Sequence, residues 1–245
     1  MLFRSLLVYL LIRRPKKIPP APPAVAPKGR IAIVLDDWGY NIRNLGALDD
    51  IKYPLTFSVL PNLRYSFLVS RQLHRRGFEV ILHLPMEPRE RYRLEKDTIL
   101  TTMEEAQIKK IIEADLKSIA SARGVSNHMG SRATEDLPIM RTIFNELKKR
   151  HLYFLDSCVS VNSLSSQLAG EMGIGLAVRD VFLDNRQDPA YIKAQINQLK
   201  NLARSRGYAV GIGHDRKNTV EVLKEMMPQL VREGFRFVFI SEIVR

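Results

Sequence analysis

The chain is short of cysteine, of long apolar runs and of nucleotide-binding glycine motifs. Cys158 is its only cysteine, which excludes an intramolecular disulfide framework and a cysteine-based zinc knuckle. A small buried thiol after the run Leu152-Tyr-Phe-Leu155 is the ordinary reading of that residue. The apolar run Leu6–Ile12 falls well below the ~20 residues of a confident membrane span. No Gly-x-Gly-x-x-Gly follows the first strand-like run and there is no P-loop, so the nucleotide-binding forms of an α/β fold lack their signature. Acidic residues are missing from the first 30 positions, which hold seven of the 38 Lys and Arg. The net charge of +12 therefore shrinks, beyond position 30, to 31 basic against 26 acidic residues. A body that mildly basic gives little support for a phosphate-binding footprint, and nucleic acid is not an expected partner.

What the chain does have begins with an uneven N-terminus. Residues 1–14 form a short basic-apolar leader, similar to the apolar centre of a signal peptide or anchor but without a small-x-small cleavage site directly after it. Arg13-Arg14-Pro-Lys-Lys17 follows, and six prolines fall within residues 15–27. Residues 15–28 read as an extended, semi-rigid linker. The expectation is a possible membrane tether holding a catalytic body, residues 29–245, in the cell envelope or periplasm. At 45% hydrophobic residues, the chain has enough apolar material for one barrel of ~200–250 residues.

Within it, strand-like runs recur and stop at acidic or histidine residues. Ile31–Leu35 ends at Asp36-Asp37, Phe78–Leu82 at His83, Leu152–Leu155 at Asp156, Val181–Leu183 at Asp184 and Tyr208–Gly213 at His214. Gly124–Asn127 ends at His128. Helical stretches are expected between them, at roughly 41–50, 64–76, 102–122 (started by a Thr102/Glu105 capping box), 135–150, 162–172, 188–206 and 217–232. Alternating strands and helices imply a parallel sheet, and in such folds the carboxyl ends of the strands share the face that carries the active site. The pattern gives seven or eight β/α units, so the fold class is α/β: a closed or nearly closed barrel or an open doubly wound sheet, and the missing nucleotide-binding signature favours the barrel. Asp and His side chains from distant positions should converge there in a metal or acid–base site.

Each candidate has its own chemistry. Asp36 and Asp37 end the most apolar strand; as strand neighbours they should point to opposite faces, one to a metal and one to substrate. Burying both needs compensating positive charge. His83, before Leu-Pro-Met-Glu-Pro88, and His128, in Asn127-His-Met-Gly-Ser131, suit metal ligation. Glu87, Asn127 and Ser131 sit beside them as pocket or substrate contacts. His214, after a strand with two glycines, has room to act as a general acid. Asp156 and Asp184 are candidates to orient histidines or to cap helices. His74 and His151, beside Lys/Arg runs, read as solvated surface residues.

Taken together, Leu35-Asp-Asp-Trp-Gly39, His83-Leu-Pro-Met-Glu-Pro88, Asn127-His-Met-Gly-Ser131 and Gly213-His214 resemble the divergent polysaccharide deacetylase family, relatives of the NodB-type carbohydrate esterases. The resemblance covers roughly residues 30–245. It implies a single distorted (β/α) barrel with about seven parallel strands, a divalent metal, commonly zinc, and a carbohydrate substrate. Carried over, Asp36 becomes the catalytic base, Asp37 a metal ligand and His214 the acid. The better-known relatives take two ligand histidines from one segment; here His83 has no histidine partner nearby, so the second imidazole falls to His128. Their Arg-x-Pro motif is not visible. The implied activity is metal-dependent removal of acyl (acetyl) groups from a carbohydrate polymer. The alternatives are a catalytically decayed barrel that binds carbohydrate or cell envelope, and a different metal hydrolase such as a phosphoesterase.

Overall fold

The computed structural model describes residues 26–245; the leader and most of the Pro-rich linker lie outside them. Nine strands form one sheet: β1 (Arg30–Trp38), β2 (Thr56–Val59), β3 (Glu79–Met86), β4 (Gly124–Met129), β5 (Tyr153–Asp156), β6 (Leu176–Val178), β7 (Val181–Phe182), β8 (Tyr208–His214) and β9 (Arg236–Val238). Six helices accompany them: α1 (Ser66–Arg75), α2 (Glu105–Ser118), α3 (Leu137–Lys149), α4 (Ser165–Met172), α5 (Pro189–Arg206) and α6 (Lys217–Arg232). The sheet order is β6-β5-β4-β3-β2-β1-β8-β7, with β9 added against β1, and every pairing is parallel. It is a barrel split between β6 and β7. The count exceeds seven because β7 is only two residues long and β9 joins β1 off the main path. No helix among the described residues is long and apolar enough to cross a membrane.

The two-residue period of a strand sorts the core into two layers. Ile31, Ile33 and Leu35 of β1, Val80 and Leu82 of β3 and Ala209 of β8 pack outward against the helices. Ala32, Val34, Ile81, Leu155, Val210 and Ile212 fill the barrel itself. Continuing the inward series along each strand reaches Asp36, His83, His128 and His214 at the carboxyl end. Strand periodicity thus aims four chemistry-bearing side chains into one space.

Local chemistry fixes the ends of the helices. Asp136 and Asp188 cap α3 and α5 through their carboxylates, each followed by proline in the first turn, and Gly207 closes α5 with φ of 84°. Two expectations fail at this level. The box starting α2 is Glu104 with Gln107, not Thr102 with Glu105. Residues 41–50 make only a short 3-10 turn, Gly46–Asp50, because Asn41 and Asn44 spend their side chains elsewhere: both amides donate to Asp215, at 3.5 and 2.7 Å.

Candidate metal and acid–base site

Asp37, His83 and His128 each bring one donor atom to a common point, all within 4.8 Å of one another. His83 Nε2 lies 3.3 Å from Asp37 Oδ1 and 3.7 Å from Asp36 Oδ2; His128 Nε2 is 3.8 Å from Asp37 Oδ1. Both carboxylates therefore approach the same imidazole, contrary to the opposite-face expectation. The reason is a register shift in β1 between Leu35 and Trp38, where Asp37 takes φ of 65°. This bulge, with its left-handed residue, turns Asp37 inward beside Asp36.

Electrostatics separate the two. Burial pushes the Asp36 carboxyl up, against the pull of His83, and its Oδ1 is buried with no hydrogen-bond partner among the described residues. Burial acts on Asp37 as well, but the hydrogen bond and charge of His83, aided by His214 and His128, hold it well below the usual carboxylate range. Burial and the neighbouring His83 lower His128 to about 4, so at neutral pH it is an uncharged imidazole, the form that ligates metals. His83 Nδ1 is 2.8 Å from Ser126 Oγ, which leaves Nε2 to the shared point.

On the facing strand, His214 is the register partner of Asp36 across β1 and β8. Its Nδ1 donates to Asp184 Oδ1 at 2.7 Å. Asp184, fully buried, also accepts from the His214 amide at 2.9 Å and the Thr219 hydroxyl at 2.6 Å. Burial would lower the His214 pKa, but Asp184, with Asp37 and Asp36, reverses the direction and raises it. The Phe182 ring stacks beside the imidazole, 6.1 Å between centroids and 16° from parallel, and the Arg179 guanidinium lies 3.7 Å from the centre of that ring.

The remaining candidates do other work. Asp156 orients no histidine: it accepts from Cys158 N at 2.7 Å, from Ser163 at 2.7 Å and from Ser165, tying down the turn before α4. Glu87 accepts from Thr101 N and Oγ1 and pairs with Arg132, holding the long loop after β3. Asn127 bridges Met129 O and Ser157 N. Ser131 donates to Glu90 and accepts from Arg89 N. Ser126, Ser58 and Thr219, none of them among the expected site residues, support the site. Ser126 had a visible signal, since it precedes His128 by one strand period.

Comparison with known proteins follows the same line. The family model for divergent polysaccharide deacetylases matches residues 33–244. The uncharacterized protein YibQ of Escherichia coli (strain K12) is 36% identical over 202 residues, covering 82% of this chain and 63% of that protein, so the chain spans less than two thirds of that relative's length. Among solved structures, an uncharacterized protein from Agrobacterium tumefaciens C58 has a TM-score of 0.84 at 24% identity, covering 91% and 92% of the two chains. A family 4 acetyl xylan esterase from Clostridium thermocellum, in complex with a cobalt ion, has a TM-score of 0.53 at 16% identity, covering 87% and 89%. At those identities the two structures establish the shared fold.

Proposed function

Because the chain belongs to the divergent polysaccharide deacetylase family, we propose that it is a metal-dependent hydrolase that removes acyl groups, acetyl above all, from a glycan. The observation that supports this most is the convergence of Asp37, His83 and His128 beside a buried carboxylate on one side and a histidine–carboxylate pair on the other. One carboxylate and two imidazoles suit zinc or a similar divalent ion with positions left open. The orphaned Asp36 Oδ1 fits a site built around a further polar group. When bound, such an ion would lower the pKa of water and polarise the acyl carbonyl.

The chain's own groups then divide the proton work. Asp36, raised by burial, is suited to take a proton from attacking water. Asp184 stabilises the His214 imidazolium, which suits His214 to give a proton to the departing amine or alkoxide. Nδ1 is committed to Asp184, so the proton delivered is the one on Nε2. Phe182 and Asp184 fix the ring in that orientation. The basic-apolar leader and Pro-rich linker support placing this activity in the cell envelope, tethered at the N-terminus.

Elemental analysis of wild type, His83→Ala and His128→Ala, together with acetate release from acetylated glycans, tests the proposal. Near-stoichiometric divalent metal, lost in both variants along with acetate release, is the expected result. A wild type that takes up no metal on reconstitution at neutral pH would sink it.

A further inference from the structure

Exposed apolar side chains are distributed unevenly over this molecule. Ten large ones are exposed among the described residues, and nine of these lie in a loop after a strand or in the first turn of the helix that follows it. That is the end of the barrel carrying Asp36, His83, His128 and His214. Each loop from β1 to β5 contributes: Tyr40, Phe67, Tyr92 and Leu94, Leu137, and Val161 in turn. The tenth, Val231, sits near the end of α6. Single exposed apolar residues are ordinary; this concentration at one end is not, and such surfaces mark interaction sites.

The loops are also knit together. Tyr40 donates to Glu95, joining the loop after β1 to that after β3. Glu135, after β4, accepts from both Arg89 and Ser160, adding the loops after β3 and β5. The apolar tips therefore belong to one rim, and they protrude from it: Val161 is 96%, Tyr92 62% and Phe67 59% exposed.

Arginines alternate with these tips. Arg89, Arg132 and Arg216 are paired with carboxylates. Arg43, Arg64, Arg91, Arg93 and Arg186 are exposed and form no ion pair among the described residues. The segment Arg91-Tyr-Arg-Leu94 is exposed throughout. Arg43, Arg64, Arg91 and Arg93 flank the tips of the loops after β1, β2 and β3, and apolar tips set among unpaired guanidinium groups match the chemistry of an anionic lipid interface. Aromatic rings favour that boundary, and each nearby Lys or Arg gains from the negative surface potential. A fluid surface, unlike a protein epitope, accepts each tip independently.

We propose that the site-bearing face docks on an anionic lipid surface, with the rim tips entering the headgroup–acyl boundary and the free arginines meeting lipid phosphates. This goes beyond the hydrolase reading and does not depend on it. Its contact is also distinct from any tether made by residues 1–28.

The test uses the full chain with Cys158→Ser and one new cysteine, from Tyr92→Cys, Val161→Cys or Val231→Cys, carrying an environment-sensitive fluorophore. Vesicles of phosphatidylglycerol mixed with phosphatidylcholine are compared with vesicles of phosphatidylcholine alone. The expected result is a blue shift at positions 92 and 161 with anionic vesicles and none at position 231. Arg91→Gln with Arg93→Gln should weaken that binding about tenfold or more. Silence at both 92 and 161 would overturn the proposal, as would an equal shift at 231 or an equal response to phosphatidylcholine alone.

Discussion

His83 and Ser126 are register partners across β3 and β4, and the imidazole Nδ1 meets the serine hydroxyl at 2.8 Å. The same hydroxyl bonds to Ser58 of β2, so the His83 ring is braced from two strands. Hydrogen bonds to the remote nitrogen of a ligating histidine set its tautomer and orientation. Ser126→Ala should weaken metal binding about 10–100-fold, read by competition with a metal-sensitive dye, while the fold stays intact by circular dichroism. Unchanged affinity would remove Ser126 from the site.

Asp184→Asn addresses the acid. The carboxylate raises the His214 pKa, which keeps the proton on the imidazole to higher pH. Without that charge the folded pKa drops, and the fraction of protonated acid falls at a lower pH. The basic limb of kcat against pH for acetate release should move toward acid, with a loss of kcat up to ~10²–10⁴-fold. A basic limb that stays in place would assign the proton to another group.

Gly213→Ala separates the acid from the metal. A Cβ there would stand 2.9 Å from the Thr219 methyl and 3.5 Å from Asp184 Oδ2, displacing the pair that holds His214. Misplacement of that order costs up to about 10²-fold in rate. Metal stoichiometry should remain that of wild type, since neither contact touches Asp37, His83 or His128; metal loss would refute the separation.

Asp115 offers a stability test far from the chemistry. It is buried in α2, with Oδ1 accepting from Asn62 at 2.7 Å and Oδ2 without a partner among the described residues. Burial raises its pKa from 3.8 to about 7. Because the folded value is the higher one, its stabilising contribution is complete below the unfolded pKa and is lost as pH rises through about 7. Asp115→Asn keeps the Asn62 acceptor and removes the charge. Its stability relative to wild type in urea should grow between pH 4 and 8 by at most about 4 kcal/mol. A difference that is flat with pH would contradict the raised pKa.

Much of this arrangement was legible in the strands. The inward series Ala32-Val34-Asp36 and Val210-Ile212-His214 follows from alternation alone, as does the step from Ser126 to His128. Asp37 was legible as a residue type but not as a geometry. Its inward turn depends on a bulge with φ of 65° that no glycine announces, so alternation pointed it the wrong way. Asp156 left its two roles open for a related reason: a carboxylate ending a strand looks the same in sequence whether its partner is a histidine or, as here, the serines of the turn before the next helix. The helix expected at 41–50 gave way because Asn41 and Asn44 are bound to Asp215, a partner 171 residues or more away. Such long-range pairings leave no trace in a local pattern.

The gap between β6 and β7 makes the sheet a split ring. Asp36, Asp37, His83, His128 and His214 all stand on β1, β3, β4 and β8, strands that have ladder neighbours on both sides. Arg179, in the short link from β6 to β7, braces this gap: its guanidinium donates to Ser157 O and Cys158 O at 2.6 and 2.9 Å while covering Phe182. Phe182 in turn stacks on the His214 ring, whereas Asp37, His83 and His128 stand on β1, β3 and β4. Under the proposed function, one strand separates the acid candidate from the gap and at least two separate the candidate metal donors from it, so the aperture could be retuned on the acid side without rebuilding the metal side.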